Sequence, residues 1–393
     1  MKAIVIGGGV VGLMSALRLV RAGYGVTLFE AQKCGNGAST RNQGIIHSGA
    51  MYARLHPEIV PLCIEAQGMF VRFFPEAHLH HKRSLYYGAS QPMKELCVQW
   101  DHLKIFYDMV SEIDASEYFL ETAGRMFAEV INESIFSAKR IIDILVKEAV
   151  EAGVKVYVNV PIAQIVHCNG RVSGVSDYTG RTYEADVVIN TSGLGVKKFL
   201  KGINSHYQDS ILSRLGSAVV MRNRRLDRVI VSTEFKGCNL APANDGYLIV
   251  IIYGANQPWI HGNQRFCVIG EEYVEAMEKL RQTFRGDLYD SAVTLPYSCT
   301  KTEFINNLYA DEWQVNPSYS VIDHKDDDIQ GLFTCLPGKL TLAFHATRSI
   351  MAHILHQSEE NVDLALPSFQ LNFHEPSNLV AIEPWKIMGE NEL

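Results

Sequence analysis

Long apolar runs are missing from this sequence. No stretch approaches the roughly 20 residues that a membrane-spanning helix needs, and the longest apolar run, Tyr247 to Tyr253, has the length of a strand. Basic tracts are missing as well: 36 Lys and Arg residues stand against 43 Asp and Glu residues, which gives a formal charge of −7. We therefore expect no integral membrane segment, no nucleic-acid partner and no binding to an anionic membrane surface.

Cysteine clusters are also missing. The eight cysteines form no Cys-x-x-Cys pair and no Cys/His cluster at zinc spacing. Neither the His80-His81 pair nor the Asp326–Asp328 run has the spacing of metal ligands. Because the first residues enter a strand and a turn directly, no secretory leader is expected. These features predict reduced thiols, a cytoplasmic location and no metal site.

What the chain does have is the composition of a folded protein. Its 393 residues are 47% hydrophobic and 20% charged, which excludes disordered and low-complexity classes. The length predicts two domains, or one large domain with an inserted lobe. Because no internal repeat and no flexible linker separates two halves, we expect the two lobes to interleave along the chain.

The first thirty residues carry the most informative pattern. Lys2 to Ile6 predicts a short buried strand, apolar residues at helical spacing follow from Leu13, and Gly23 ends that helix. Val26 to Phe29 predicts a second strand. The segment is thus a β-α-β unit with a glycine-rich turn after its first strand.

That turn has the spacing G-x-G-x-x-G, and each glycine has a physical role in it. Gly7 permits the tight turn, Gly9 lets a pyrophosphate approach the backbone, and Gly12 lets the helix pack close to the strand. The amides at the helix N-terminus then face the phosphates. Glu30 ends the second strand, where its carboxylate can accept hydrogen bonds from the adenosine ribose and disfavours the 2′-phosphate of NADP. The pattern predicts a dinucleotide site.

The rest of the chain gives a coarser pattern. A glycine-rich polar loop over 37–49 has neither a helical nor a strand period, as is typical of long functional loops. Met93 to Ile113 is predicted to be mostly helical, and a β-meander turns at Asn169-Gly170. Strand-like runs dominate from Ser205 to Asp328, namely Val219–Arg222, Val229–Ser232, Leu248–Tyr253 and Arg265–Ile269, with one helix over Glu271–Phe284.

Four segments together point to a known group. They are the opening glycine-rich unit with Glu30, the loop Ala38-Ser39-x-Arg41-Asn42-x-Gly44, the strand Val187-Val-Ile-Asn-Thr-Ser-Gly193 and the late turn Pro337-Gly338-Lys339. Over nearly the whole chain they resemble the D-amino-acid-oxidase superfamily of FAD-dependent oxidoreductases.

Two subfamily hints point in different directions. Asn42-x-Gly44-x-Ile46-His47-Ser48-Gly49-x-x-Tyr52 resembles the L-2-hydroxyglutarate dehydrogenase loop. Gly338-Lys339-Leu340-Thr341 resembles the turn of flavin glycerol-3-phosphate dehydrogenases. The motifs therefore indicate the superfamily but not the substrate.

The resemblance implies an α/β fold, in which a Rossmann-like FAD-binding domain is interleaved with an α+β substrate domain built on a mostly antiparallel sheet. The FAD-binding domain would comprise residues 1–80, 138–204 and 329–393, and the substrate-binding domain residues 81–137 and 205–328. The implied cofactor-binding residues are Gly7, Gly9, Val10, Val11, Gly12, Glu30, Ser39, Thr40, Arg41, Asn42, Gly44, Ile46, His47, Val160, Ser192, Gly193, Gly338, Lys339, Leu340 and Thr341.

The resemblance also implies which part of FAD each segment would hold. The polar loop would reach the pyrophosphate and the ribityl chain through Ser39, Arg41 and Asn42. Val160 would hold the adenine by main-chain contacts. The late turn would point its amides at the flavin O2 edge, where a helix N-terminus and Lys339 would stabilise the anionic reduced flavin. A helix dipole alone contributes up to about 2 kcal/mol in favourable geometry.

The expected substrate site departs from the superfamily at one position. Many members carry an arginine before a proline that grips the substrate's carboxylate or phosphate. Aligned on Pro317, this chain has Asn316 instead. Either Arg265 or Arg41 supplies the charge, or the substrate is not a simple α-carboxylate. Tyr253 is a further candidate for lining the pocket.

His47 and Lys339 are the candidate catalytic residues. His47 could take the proton of a CH–OH group as hydride leaves to flavin N5, or it could attach the flavin covalently. The alternative is a histidine satisfied by backbone hydrogen bonds. Lys339 opens a predicted helix, where the dipole disfavours a cation; this favours a contact with flavin or substrate over the alternative, a surface lysine at a helix start.

We therefore predict a FAD-dependent dehydrogenase or oxidase that acts on a small hydroxy compound and passes electrons to oxygen or a carrier. The runner-up is oxidation of a CH–NH group in an amine or amino acid. Two further classes stay open: an NAD-dependent dehydrogenase, which shares the first β-α-β unit, and a flavin-binding protein without turnover.

Overall fold

A computed structural model of the chain describes residues 1–79, 82–131, 133–234, 237–252, 259–260, 270–305, 318–366, 378–383 and 385–386. The strands are β1 (Lys2–Ile6), β2 (Gly25–Phe29), β3 (Ile45–Ile46), β4 (His78–Leu79), β5 (Lys82–Ala89), β6 (Tyr107–Val110), β7 (Arg125–Val130), β8 (Ser134–Phe136), β9 (Lys155–Tyr157), β10 (Ile162–Cys168), β11 (Arg171–Asp177), β12 (Thr182–Glu184), β13 (Val187–Asn190), β14 (Ile211–Asn223), β15 (Arg228–Ser232), β16 (Cys238–Ala243), β17 (Tyr247–Ile252), β18 (Trp259–Ile260), β19 (Tyr289–Phe304), β20 (Ser320–Asp323) and β21 (Leu332–Leu336). The α-helices are α1 (Val10–Arg21), α2 (Val60–Phe73), α3 (Ser90–Leu103), α4 (Glu112–Ala115), α5 (Ala138–Glu151), α6 (Val196–Gly202), α7 (Gly270–Thr283) and α8 (Ala343–Leu355).

A mostly parallel sheet forms the first layer of the fold. Within the described ranges it has six strands, in the order β20-β21-β13-β1-β2-β9. The first strand pairs in parallel with both β2 and β13, and only β20 runs antiparallel, at the edge. The predicted β-α-β unit is therefore confirmed, and so is the α/β fold class. Its strands come from segments as distant in the chain as β1 and β21.

Local sequence explains why this unit forms. Ala3 to Ile6 are consecutive buried residues, as expected of a parallel strand covered on both faces. Helix α1 buries ten of its twelve residues and packs against α5 and α8. A Cβ on Gly12 would lie 1.9 Å from the Gly7 carbonyl oxygen. The helix therefore approaches the turn more closely than any other residue type allows.

A larger and mostly antiparallel sheet forms the second layer. Its order in the described part of the chain is β18-β14-β17-β16-β15-β5-β7-β6, and β19 also pairs with β14. One parallel pair, β5 with β15, brings two distant segments together. The longest ladder joins β14 to β19 and runs from Ile211 opposite Phe304 to Asn223 opposite Tyr289. This sheet has the antiparallel character that the family resemblance implies for the substrate domain.

The meander prediction is confirmed by a separate three-stranded antiparallel sheet, β10-β11-β12. Asn169 and Gly170 connect its first two strands with φ angles of 51° and 73°. Two successive positive φ angles match the right-handed twist of the flanking strands, which is why Asn-Gly is favoured there.

Some of the predicted elements differ from the structure. The helix predicted over Met93 to Ile113 is wrong beyond Leu103, because Lys104 adopts a left-handed conformation with φ of 58° and the chain continues as strand β6. Val219–Arg222 is only part of the thirteen-residue strand β14. The strand predicted over Arg265–Ile269 lies outside the described residues. The hairpin strand β20 joins the parallel sheet ahead of the predicted boundary at residue 329.

The described ranges lack two features that would point to other functions. None of their helices combines the length and the apolar character needed to cross a membrane. Those ranges also contain no group of three His, Cys, Asp or Glu side chains placed to hold a metal ion.

Candidate active site

A cleft of about 430 Å³ opens at the carboxyl ends of the parallel strands. Ligand sites of small molecules and cofactors have volumes of about 300–1,000 Å³, and in open α/β sheets they lie at this edge. The residues after β1, β2, β13 and β21 all contribute to its lining, namely Gly7 and Gly9–Gly12, Glu30–Gln32, Thr191–Gly195 and Pro337–Leu340. The cleft is also lined by Gly35 and Asn36, by Gly37–Ser39 and Asn42 of the polar loop, and by Cys299–Thr302 of strand β19.

The glycine-rich turn forms the floor of the cleft. Gly7 has a φ of 106°, and a Cβ there would lie 2.6 Å from the Thr191 carbonyl oxygen. A Cβ on Gly9 would lie 2.9 Å from Ser39 Oγ, the atom that accepts a 3.2 Å hydrogen bond from the Val10 N–H. The turn therefore leaves a bare backbone facing the cleft, with helix α1 beginning directly behind it.

Glu30 lies at the next strand end, with its carboxylate held by the backbone. Its Oε2 accepts a 2.7 Å hydrogen bond from the Gly8 N–H, and its Oε1 accepts one of 2.9 Å from the Gln32 N–H. Burial raises the pKa of Glu30, while these backbone donors oppose the rise. The side chain is thereby fixed at the edge of the cleft with lone pairs to spare for ligand hydroxyls.

The polar loop is held in place by its own side chains. Asn42 donates hydrogen bonds to the carbonyl oxygens of Ala38 and Ser39, and its own oxygen accepts one of 2.7 Å from the Gly44 N–H. Arg41 donates through Nε to the Asn36 carbonyl oxygen, at 3.2 Å. This network presents Ser39 and Asn42 to the cleft as a preformed surface.

The late turn closes the far end of the cleft. Gly338 has a φ of 65°, and the short helical turn Leu340–Leu342 leads from it into α8. The Lys339 ammonium group is 3.3 Å from the centre of the Tyr52 ring, a cation–π contact that compensates for part of its burial. A positive charge is thus held at the end of the cleft next to a helix N-terminus.

His47 is hydrogen-bonded to this turn and to a buried carboxylate. Its backbone N–H donates a 3.0 Å hydrogen bond to Thr341 Oγ1. Its Nδ1 is 2.9 Å from Oε1 of Glu133, and Oε2 of Glu133 accepts a 2.5 Å hydrogen bond from the Tyr86 hydroxyl. The Tyr52 ring meets the imidazole edge-on, at 5.4 Å between centres. Thr341, Glu133 and Tyr52 thereby contact His47 directly, and Tyr86 is linked to it through Glu133.

The electrostatic surroundings keep this histidine neutral. Burial lowers the pKa of His47, the hydrogen bond and charge of Glu133 raise it, and the ammonium groups of Lys339 and Lys301 lower it. The net direction is downward from the ordinary value. At neutral pH the imidazole is therefore a base with a free lone pair rather than a cation.

Strand β19 brings in residues that sequence reasoning missed. Lys301 lines the cleft and is close enough to affect the charge of His47. The Thr300 hydroxyl also belongs to this segment and is buried without a hydrogen-bond partner among the described residues. Glu133 and Tyr86 were missed as well. These residues reach the site through long-range strand pairing, and the sequence around them has no motif that would have revealed it.

The residues present fit the FAD that the sequence resemblance implies. The bare glycine backbone suits a pyrophosphate, the fixed Glu30 carboxylate suits ribose hydroxyls, and Lys339 suits an electron-rich ring. An orphaned hydroxyl at Thr300 is a polar atom that a bound group could satisfy.

The predicted cofactor residues divide into two groups by position. Those that line the cleft are Gly7, Gly9, Val10, Val11, Gly12, Glu30, Ser39, Asn42, Val160, Ser192, Gly193, Gly338, Lys339 and Leu340. Those outside this lining are Thr40, Arg41, Gly44, Ile46, His47 and Thr341. The predicted substrate residues Tyr253, Arg265 and Asn316 lie outside the described residues.

Comparison with known families and sequences gives three matches. A family model described as FAD dependent oxidoreductase, DAO, matches residues 2–308. A 50-residue stretch is 50% identical to a probable FAD-dependent oxidoreductase of Pseudomonas aeruginosa and covers 13% of each chain. Over 360 residues the chain is 21% identical to one subunit of the anaerobic glycerol-3-phosphate dehydrogenase of Haemophilus influenzae, a match that covers 86% of this chain and 61% of that protein. The chain thus matches less than two thirds of the length of either curated relative.

Among solved structures, glycine oxidase from Geobacillus kaustophilus is similar, with a TM-score of 0.74 and 16% sequence identity. The match covers 94% of this chain and 99% of that one. At this identity the likeness concerns the fold.

Proposed function

Since this chain belongs to the DAO family of FAD-dependent oxidoreductases, we propose that it oxidises the CH–OH group of a small hydroxy compound to a carbonyl. Bound FAD supplies the two-electron acceptor, and oxygen or a carrier takes the electrons afterwards. His47 is the proposed base for the hydroxyl proton. Lys339 and the N-terminus of α8 would stabilise negative charge at the same end of the cleft.

One observation carries the choice of a hydroxy compound: a buried imidazole, whose pKa is lowered by that burial, lies beside the late turn. A hydroxyl group must lose its proton when its carbon loses hydride, so its oxidation needs a base within reach. An amine that is already neutral can lose hydride with the help of its own lone pair. A positioned base is therefore of more use to a hydroxyl substrate.

Oxidation of a CH–NH group is the second candidate. The similar glycine oxidase is named for that class of reaction, whereas the glycerol-3-phosphate dehydrogenase is named for a hydroxy compound. The two candidate reactions differ in whether they need His47 as a base. His47 is therefore the residue to test.

Anaerobic reduction of the purified holoenzyme separates the candidates. L-2-hydroxyglutarate, glycerol 3-phosphate and glycolate would be compared with glycine and L-proline, and bleaching of the flavin absorbance would be followed. We expect a hydroxy compound to bleach the flavin. Because the pKa of His47 is lowered, the rate should be constant at neutral pH and fall only as acid protonates the imidazole. Bleaching by the amino acids alone would replace the proposal by its alternative.

Glu30 gives a separate prediction on cofactor affinity. In a Glu30→Gln variant the charged acceptor for ribose hydroxyls is lost, and one such hydrogen bond is worth roughly 1.5–3 kcal/mol. We expect FAD to bind the variant about 10 to 100 times more weakly, measured by titrating apoprotein with FAD and following the quenching of its fluorescence. Glu184→Gln is the matched control, because Glu184 is exposed and pairs only with Lys2 among the described residues. Equal affinity in both variants would remove Glu30 from the ribose site.

A further inference from the structure

The Glu133 carboxyl group contacts the Nδ1 side of the His47 imidazole. Its side chain is fully buried, with Oε1 2.9 Å from Nδ1 of His47 and Oε2 2.5 Å from the Tyr86 hydroxyl. A carboxylate withdrawn this far from water persists when it is paired and hydrogen-bonded. Tyr86 is itself immobilised, since its ring packs edge-on against the buried Trp100.

The hydrogen bond to Glu133 determines which nitrogen of His47 can accept a proton. A neutral imidazole carries one N–H, and an acceptor at Nδ1 places that proton on Nδ1. The lone pair is then on Nε2, the nitrogen that Glu133 does not occupy. When Nε2 takes a proton, the resulting imidazolium faces a carboxylate across a charge-assisted hydrogen bond.

We propose that Glu133, held by Tyr86, is a positioning residue for His47: it fixes the tautomer with Nε2 as the proton acceptor and stabilises the imidazolium formed during substrate oxidation. This inference rests on the proposed function. In the step it serves, the O–H bond of the substrate breaks as the Nε2–H bond forms. The C–H hydrogen departs with its electron pair to the bound cofactor, and the carbonyl forms.

The other charges around His47 determine in which direction replacement of Glu133 shifts the pKa of His47. Lys301 on β19 and Lys339 before α8 both disfavour a protonated imidazole, as does burial. The Tyr52 ring contributes no charge, and the Cys63 thiol on α2, near Lys339 and Glu133, has its pKa raised by burial. Among the described groups that act on His47, Glu133 alone favours the imidazolium. Removing its charge must therefore lower the pKa of His47.

The primary test observes the imidazole itself and needs no substrate. Holoenzyme labelled with ¹⁵N-histidine would be titrated by NMR, with the His47 signals assigned by their loss in His47→Gln. We expect the Nδ1–H tautomer in the wild type. Glu133→Gln should lower the pKa of His47 by roughly one to three units, as expected for loss of an opposite charge at this range. Tyr86→Phe should shift it upward, because a carboxylate that loses a donor becomes a stronger acceptor.

A matched control is available close by. Glu129 on β7 is a carboxylate of the same type, but it pairs with Arg228 rather than with His47. Glu129→Gln should leave the tautomer and the pKa of His47 unchanged. The opposite shifts of Glu133→Gln and Tyr86→Phe also separate positioning from general damage, which would move both variants in one direction.

The kinetic arm uses anaerobic bleaching by L-2-hydroxyglutarate and glycerol 3-phosphate. Glu133→Gln should slow bleaching about 10- to 100-fold, the range known for removal of the hydrogen-bond partner of a metal-ligating histidine. It should also move the pH midpoint downward, and Glu133→Asp should recover part of the rate. If the NMR shifts occur but bleaching is unaffected, Glu133 still fixes the tautomer of His47, but the proposed base and the role of Glu133 in the reaction are wrong. If Glu133→Gln leaves both tautomer and pKa unchanged, the inference is overturned. If Glu133→Gln does not fold, the Tyr86→Phe variant serves as the test. An unchanged pKa of His47 in that variant would also overturn the inference.

Discussion

A Gly9→Val variant is expected to purify without bound FAD. The Cβ of residue 9 would already lie 2.9 Å from Ser39 Oγ, and the two methyl groups of valine would extend into the space between the turn and the polar loop. That space borders the Val10 N–H, the first amide of α1. The side chain would take the place of the pyrophosphate and displace Ser39.

Two contributions determine how much Gly9→Val weakens the binding of FAD. Overpacking costs roughly 1–3 kcal/mol, and the loss of a hydrogen bond to a charged phosphate costs a further 1.5–3 kcal/mol. The sum, about 2.5–6 kcal/mol, weakens binding by roughly two to four orders of magnitude. The visible flavin bands of the purified protein measure the result directly.

The choice of position matters for this experiment. A Cβ on Gly12 would clash with the backbone at 1.9 Å and damage the fold itself, whereas Gly9 meets only a side chain. Gly68→Val is the control, because nothing lies within 4 Å of a Cβ there, and it should keep its FAD. A Gly9→Val protein that retains stoichiometric flavin would show that the pyrophosphate does not lie on Gly9.

Replacement of His47 is expected to have an effect of similar size on the chemistry. His47→Ala removes the proposed proton acceptor, and a general base contributes about 10²–10⁴ in rate. The cofactor should stay bound, because no imidazole atom belongs to the cleft lining and the backbone bond from residue 47 to Thr341 is independent of the side chain. The measurement is anaerobic stopped-flow reduction of the flavin by the hydroxy compound that bleaches it fastest.

Two comparisons make the His47 result interpretable. His167→Ala, at an exposed position on β10, should reduce at the wild-type rate. Unchanged reduction in His47→Ala at full flavin occupancy would eliminate the catalytic role. If flavin instead stays with denatured wild-type protein but not with denatured His47→Ala, then His47 is a covalent attachment point.

The sequence was most informative where structure is local. The β-α-β unit could be predicted because its turn, helix and strand lie within thirty residues and because Gly7 and Gly12 satisfy steric demands that no other residue meets. The meander at Asn169 was predictable for the same reason. In both cases a short backbone geometry selects residue types directly.

The interior of the site could not be predicted in this way. Glu133 and His47 are 86 positions apart and meet only because β8 pairs with β3. Lys301 reaches the cleft along the sixteen-residue strand β19, whose mixture of threonine, serine and lysine has no clear strand period. The register between strands so far apart in the chain depends on the packing of the whole sheet. It therefore cannot be predicted from a local sequence pattern.

The order of strands in the parallel sheet has a consequence for the protein during its synthesis. Strand β1 is synthesised well before its neighbour β13, and β13 well before the next strand, β21. At about 5–20 residues per second, translation needs roughly 20–70 s to proceed from β1 to the turn at Gly338. Until β21 has been made, the growing sheet keeps an unpaired edge, first on β1 and then on β13. The nascent chain can therefore complete the lining of the cleft only after the turn at Gly338 has been made.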